Sequence, residues 1–207
     1  MATTLKPMTR HITAVFRSAT PDQIAAGADW YADARRIAEA FAAKHGITVD
    51  QAAGVIAALS PLNSWGANVS LAARFLDGAQ HSGYLGVGLT KGRDILAGHD
   101  IETILKGDKI TNFYRSIVSA GERGVCVDRH AFDLAVNVRH NDDTRPTIGK
   151  RLYAEVAECY VRAAKILSRE YGMRITPAQV QSVTWVIWRS RFWSEGAWDK
   201  GAKGPLG

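Results

Sequence analysis

A lysine and an aspartate that stand 19 positions apart, Lys109 and Asp128, are the residues of this sequence best suited to chemistry. Lys109 directly follows a glycine turn, Lys106-Gly107-Asp108, between two short amphipathic stretches. Two short helices joined by such a turn can direct backbone N–H groups at one phosphate, helped by the positive end of the helix dipole. The turn therefore predicts an anion contact through Lys106, Gly107, Thr111 and Asn112. An ordinary helical hairpin is the alternative interpretation.

Asp128 follows an apolar triplet, residues 125–127, and precedes Arg129-His130. This position predicts the start of a helix, where the dipole keeps a carboxylate ionised and available for chemistry. A plain aspartate N-cap is the alternative. Lys109, if it serves as a nucleophile, needs nearby cations or burial to free its amine. Lys106 and Arg129 supply such charges.

The distribution of charge favours a polyanionic partner. The chain has 26 Lys and Arg against 20 Asp and Glu, a net charge of +6, and all of this excess lies in residues 144–207. Such asymmetry predicts nucleic acid as the partner, with a solvated basic helix face as the alternative. The predicted DNA contacts in and before this region are Arg129, Lys150, Arg151, Arg189 and Arg191.

Composition excludes several classes of protein. The sequence has 46% hydrophobic residues, enough for a core, and contains no apolar run long enough to span a membrane. Its two cysteines exclude a disulfide scaffold and a four-cysteine metal cage, and no two histidines have metal-ligand spacing. We therefore expect no metal, no cofactor and no membrane partner. The polar N-terminus predicts a cytoplasmic location, which for a viral protein is the host cytoplasm.

Nearly every segment predicts helix, so we expect one all-α domain over residues 1–193 with a flexible tail at 194–207. Thr20-Pro21-Asp22-Gln23 and Thr48 are typical N-terminal helix signals. The glycine-rich stretch 79–89 predicts a loop, and 140–145 predicts a polar turn. The predicted helices are 21–46, 48–60, 63–78, 91–97, 100–105, 109–120, 129–138, 147–171 and 176–193.

These motifs together resemble the helix-hairpin-helix DNA glycosylase superfamily, which has the endonuclease III-like fold. The resemblance rests on 105–112, on Val127-Asp128-Arg129-His130, and on the upstream stretch 57–65, and it covers about residues 50–140. The hairpin is about two residues shorter than the family's Leu-Pro-Gly-x-Gly loop. Residues 144–193 add basic C-terminal helices to this core.

The resemblance implies a fold, an activity and a set of roles. It implies a compact multi-helix domain with a helix-hairpin-helix, and cleavage of the N-glycosidic bond of a base flipped out of DNA. Asp128 would act at the sugar C1′, and Lys109 would form a Schiff base in a lyase. The base pocket would include Ser60, Asn63, Trp65 and His130, with Trp65 or Asn63 filling the gap left by the base.

Two alternatives stay open. Phage DNA-hypermodification enzymes of the α-glutamyl/putrescinyl-thymine pyrophosphorylase type resemble the same fold and join an amine to an activated thymine methyl group. In such an enzyme, Lys109, Arg129 or Lys150-Arg151 would neutralise a pyrophosphate leaving group. The second alternative is a non-catalytic DNA-binding module that uses only the hairpin and the basic helices.

Overall fold

The computed structural model describes residues 6–79, 86–141 and 143–192. These residues form α-helices joined by short turns, with no strand among them, which confirms the all-α prediction. The expected flexible tail, 194–207, lies outside the described residues. The helices are α1 (Thr9–Arg17), α2 (Pro21–Ala28), α3 (Trp30–His45), α4 (Val49–Ala58), α5 (Trp65–Leu76), α6 (Gly86–Leu96), α7 (Ile101–Leu105), α8 (Asp108–Val118), α9 (Arg129–Val136), α10 (Lys150–Tyr171) and α11 (Pro177–Phe192).

Thr20 and Thr48 cap the helices that follow them, as the sequence predicts. Thr20 accepts a hydrogen bond from the backbone N–H of Gln23, and the Gln23 side chain accepts one from the N–H of Thr20. Thr48 and Gln51 form the same reciprocal pair at the start of α4. Each capping box satisfies two backbone donors that a helix start leaves without partners.

Two of the predicted segments are wrong, and one helix of the structure is not predicted. The expected single helix 21–46 is divided at Asp29, because α2 packs against α11 whereas α3 packs against α4. The predicted loop 79–89 gives way to α6 at Gly86; residues 80–85 lie outside the described residues. Glycines within α6 serve packing, since a Cβ at Gly92 would lie 2.7 Å from the ring of Phe75. Helix α1 has no counterpart among the predicted helices.

The buried side chains form two hydrophobic clusters. The first cluster is built mainly by α3, α4 and α8, with Ile56, Leu59 and Ile117 fully buried. The second cluster joins α1, α9, α10 and α11 around Phe132 and Tyr160. Helix α11 belongs to both, because Ala178 lies in the first and the residues from Val180 onward lie in the second.

A buried ionic network fixes the chain after α9. The carboxylate of Asp133 is 2.8 Å from His140 Nδ1 and accepts hydrogen bonds from Arg145 Nε and Nη2. Arg145 also donates to the backbone carbonyl of His140 at 2.8 Å. Because Asp133 is almost fully buried, these partners replace the water that its charge loses. The predicted polar turn is therefore held against the second cluster.

Helices α2 and α11 cross at van der Waals contact through Gly27. A Cβ at Gly27 would lie 2.4 Å from the Cα of Val183, closer than a side chain permits. The Ser182 hydroxyl donates to the Gly27 carbonyl at 2.6 Å, which fixes the crossing. The register of α11 therefore depends on the absence of a side chain at position 27.

We expect Gly27→Ala to destabilise the protein by about 2–3 kcal/mol, because α2 and α11 must separate to admit the methyl group. Gly86→Ala is the matched control, since a Cβ there has nothing within 4 Å. Urea unfolding of both variants measures the difference. Equal stability of the two variants would contradict the close crossing.

Candidate functional site

Asp128 is the N-cap of α9, and both of its carboxylate oxygens have a fixed partner. Oδ1 accepts the backbone N–H of Ala131 at 2.8 Å, and Oδ2 accepts the indole Nε1–H of Trp185 at 3.1 Å. The helix start that the sequence predicts at this position is confirmed. The side chain is only partly buried, so the carboxylate is held rigidly and still reaches the surface.

Two arginines surround this carboxylate with positive charge. The Arg189 guanidinium lies 4.8 Å from the ring centroid of Trp185, the residue that donates to Asp128. Burial lowers the pKa of Arg189, while the Asp128 carboxylate opposes that shift and Arg129 adds to it. Arg129 Nε also lies 3.4 Å from His130 Nε2. The start of α9 is thus an electropositive site with one carboxylate at its centre.

His130 lies beside Asp128 in a largely dry environment. Its ring meets Trp185 edge to face at 6.3 Å between centroids. Burial is the main cause that lowers the pKa of His130 below its ordinary value, and Asp128 partly opposes the shift. The neutral imidazole is therefore the favoured form at neutral pH.

The hairpin is formed and is anchored from both sides. Asp100 caps α7 by accepting the N–H of Thr103 at 2.7 Å, and Lys91 Nζ donates to the Leu105 carbonyl at 2.7 Å. Gly107 then has φ +103°, a conformation that favours glycine, and α8 begins at the next residue. Lys106, Gly107 and Lys109 are exposed on this turn.

The structure brings Lys109 close to the segment that carries Asp128. The Cys126 thiol donates to the backbone carbonyl of Lys109, with Sγ 3.8 Å from the oxygen. Burial raises the pKa of Cys126 to about 12; the Lys109 ammonium opposes this rise, and Asp128 adds to it. The hydrogen bond from Cys126 thus holds the backbone of Lys109 against the segment that leads to Asp128.

Tyr153 on α10 holds the apolar triplet that leads to Asp128, and the first turn of α8 has a side-chain hydrogen bond of its own. The Tyr153 hydroxyl donates to the Val125 carbonyl at 2.6 Å and accepts the Val127 N–H at 3.1 Å. Asn112 Nδ2 donates to the Asp108 carbonyl at 2.8 Å within the first turn of α8, and Thr111 beside it is partly exposed.

Four aromatic side chains form a cluster next to this site, and we call Trp30, Tyr31, Trp65 and Phe113 the aromatic cluster. The Trp30 ring lies 4.8 Å from Trp65 and 6.1 Å from Phe113, between centroids. Tyr31 donates its hydroxyl to Gln181 Oε1 at 3.0 Å. Burial is the main cause that raises the pKa of Tyr31, and both Cys126 and Asp128 add to the rise.

The turn before α5 presents one apolar side chain to solvent. Ser60 donates to the Ala57 carbonyl and Asn63 Nδ2 donates to the Leu59 carbonyl, both at 2.9 Å. These bonds fix the turn and leave Leu62 with φ +63° and 93% exposure. Among the predicted pocket residues, Ser60 and Asn63 thus hold the turn, whereas Trp65 packs in the aromatic cluster.

The remaining predicted DNA contacts lie on other surfaces, and one of them, Arg151, forms an ion pair. Arg151 pairs with Glu155 at 3.0 Å on the exposed face of α10, where Lys150 is the first residue. Arg191 is exposed and donates to the Ser18 hydroxyl at 2.7 Å. The hydrogen bonds of Arg151 and Arg191 go to residues other than Asp128, whereas Arg189 lies against Trp185, the donor to Asp128.

One family model matches nearly the whole chain, over residues 1–192, and its description is "Family of unknown function (DUF7178)". The chain belongs to the DUF7178 family. No curated protein and no solved structure matches. The residues of this DUF7178 member that match include the hairpin, Asp128 and all of α11, so the contact between Trp185 and Asp128 lies within the family's domain.

Among the described residues, the structure has neither a group of metal ligands nor a membrane-spanning helix. Within residues 6–79, 86–141 and 143–192, no three His, Cys, Asp or Glu side chains gather into a group suited to a metal ion. None of the described helices combines the length and the apolar character that crossing a bilayer requires.

Sequence reasoning did not connect several side chains with the site around Asp128. Trp185 stands four residues before Arg189, a spacing that places both on one helix face, but no sequence signal connects that face with Asp128. Leu62 could have been noticed as an apolar residue within the polar turn 60–64. Tyr31 and Tyr153 carry no signal, since buried tyrosines are common in helical cores.

We expect stability to fall at acidic pH partly because of His130. Its pKa in the folded protein lies below the ordinary value of about 6.5, so the unfolded chain binds more protons and stability drops as pH falls through that value. His130→Asn should flatten the dependence of the unfolding free energy on pH between about 7.5 and 5. His99→Asn, at an exposed position, is the control and should leave it unchanged. An unchanged slope in His130→Asn would contradict the role assigned to burial.

Proposed function

We propose that this protein is a DNA base-processing enzyme that acts on a base rotated out of the double helix, with Asp128 as its catalytic carboxylate. The observation that carries the proposal is the fixed Asp128 carboxylate at an electropositive helix start, oriented by Ala131 and Trp185. An enzyme that must stabilise developing charge needs such preorganised groups. The hairpin and the net charge of +6 supply the attraction for a phosphate backbone.

The proposed reaction is cleavage of the N-glycosidic bond. The bond between C1′ and the base nitrogen breaks, its electron pair leaves with the base, and the base takes up a proton. The Asp128 carboxylate stabilises the positive charge that develops at C1′. Water then adds to C1′ and loses a proton; in a lyase, the amine nitrogen of Lys109 forms the new bond to C1′ instead and likewise loses a proton. The hydrogen bond between the Cys126 thiol and the Lys109 carbonyl, which links the start of α8 to the segment before Asp128, supports placing both residues in one site.

Leu62 is the side chain that we assign to the space left by the base. Proteins that unstack DNA insert apolar wedges between base steps, and unstacking costs a few kcal/mol. Leu62 is exposed, is held by a rigid turn, and stands three residues before Trp65 of the aromatic cluster. Neither Trp65 nor Asn63 is as exposed as Leu62, so Leu62 replaces them in this proposed role.

Base modification without glycosidic cleavage is the second candidate. Two arginines flank Asp128, and guanidinium groups are suited to neutralise a pyrophosphate that leaves an activated base. Mass spectrometry of the products formed when the protein is incubated with DNA separates the two candidates. Glycosidic cleavage yields a released base, whereas base modification yields an enlarged nucleoside.

The first test traps the enzyme on DNA with borohydride, using duplexes that carry uracil, oxidised bases, 5-hydroxymethyluracil or an abasic site. We expect Asp128→Asn to retain its DNA affinity within about threefold and to lose at least about a hundredfold in turnover, because it keeps the shape and removes the charge. Lys109→Ala should abolish any covalent adduct. Unchanged turnover in Asp128→Asn would contradict the proposal. DNA binding by the wild-type protein without any turnover would also contradict it and would favour a non-catalytic DNA-binding module.

The second test concerns Leu62. We expect Leu62→Ala to reduce base extrusion about fivefold or more, because the vacated stack is left unfilled. The fluorescence of 2-aminopurine next to the target base reports extrusion. Met173→Ala is the matched control, since Met173 is also an exposed apolar residue but lies between α10 and α11. An equal effect of the two substitutions would contradict the role of Leu62.

A further inference from the structure

The aromatic cluster contains polar atoms that find no partner within the protein. Trp30 Nε1 and Trp65 Nε1 are buried hydrogen-bond donors without an acceptor among the described residues. Trp30 is 92% buried, since its exposed fraction is 8%. A buried donor without an acceptor is unfavourable, and an acceptor on a ligand would remove that cost.

A third atom of this kind lies one helical turn away. Asn68 is on the same face of α5 as Trp65, three residues further along, and is almost fully buried. Its Nδ2 donates to the Ile56 carbonyl at 3.1 Å, which identifies the other amide atom as the oxygen. That oxygen, Oδ1, accepts no hydrogen bond from the described residues. The aromatic cluster and Asn68 together therefore contain two donors and one acceptor that have no partner among the described residues.

We propose that the aromatic cluster and Asn68 form the recognition pocket for a pyrimidine with two carbonyl groups, that is, uracil, thymine or a 5-substituted derivative. This inference rests on the proposed function. The edge of such a base presents acceptor, donor and acceptor in the order O2, N3–H and O4, which complements two indole N–H groups and one amide oxygen in number and type. Cytosine lacks the N3–H donor and carries an amino group in place of O4, so it does not match.

The surroundings of the three atoms suit a base. Aromatic rings stack on the faces of nucleobases, and Trp65 and Phe113 are the partly exposed members through which a base would enter. Phe113 stands four residues after Lys109, so the two lie on one face of α8. Tyr31 donates to Gln181 on α11, and Trp185, about one turn further along the same helix, donates to Asp128. A pyrimidine in this pocket would thus have its sugar on the side of the candidate catalytic groups.

The test compares the affinity of the full-length protein for duplexes that differ in one nucleotide, placed opposite an abasic analogue so that no partner base holds it. The nucleotides are thymidine, deoxycytidine and the difluorotoluene isostere of thymidine, which keeps the shape and accepts hydrogen bonds poorly. We expect the wild-type protein to bind the thymidine duplex about tenfold more tightly than either of the other two.

Trp65→Phe keeps an aromatic ring and removes one donor, so it should reduce the preference for thymidine over its isostere to about threefold or less. Trp188→Phe is the matched control, because the indole Nε1 of Trp188 is also buried without an acceptor but lies in the second hydrophobic cluster. It should keep the wild-type preference.

The outcomes separate this inference from the proposed function. Equal affinity of the wild-type protein for all three duplexes, or an equal loss of preference in Trp65→Phe and Trp188→Phe, would overturn the pyrimidine pocket. Asp128-dependent turnover would in that case still stand. Absence of binding to every duplex would overturn the proposed function itself.

Discussion

The close crossing of α2 and α11 at Gly27 is the constraint on which the candidate site depends. With no side chain at position 27, α11 approaches the backbone of α2 and runs between the two hydrophobic clusters. In that register, Gln181 accepts a hydrogen bond from the Tyr31 hydroxyl, and Trp185 donates one to the carboxylate of Asp128. A displacement of α11 would therefore disturb the aromatic cluster and the candidate catalytic carboxylate together.

The site lies where elements from the two clusters meet. Helix α8 and the aromatic cluster come from the first, while α9, α10 and α11 contribute Asp128, Tyr153 and Trp185 from the second. The buried thiol of Cys126, hydrogen-bonded to the Lys109 carbonyl, joins the two sides. Such a junction brings elements that carry a rigid carboxylate, a lysine and a set of aromatic rings together, which supports the proposed action on an extruded base.

Local signals in the sequence predicted local structure well. The capping boxes at Thr20 and Thr48 and the N-cap at Asp128 depend on a few neighbouring residues, and all three are present. The division of the helix at Asp29 and the early start of α6 depend on packing against distant helices, which no short pattern encodes. The same limit applies to the site: Asp128 could be singled out from its position, but its partner Trp185 is 57 residues away along the chain.

The most direct test of the central claim is a crystal structure of the Asp128→Asn variant with a duplex that carries one extrahelical pyrimidine. The account predicts the base against the aromatic cluster, the sugar C1′ next to position 128, and Leu62 inside the vacated stack. A duplex bound instead along the exposed face of α10, with position 128 remote from any nucleotide, would contradict it.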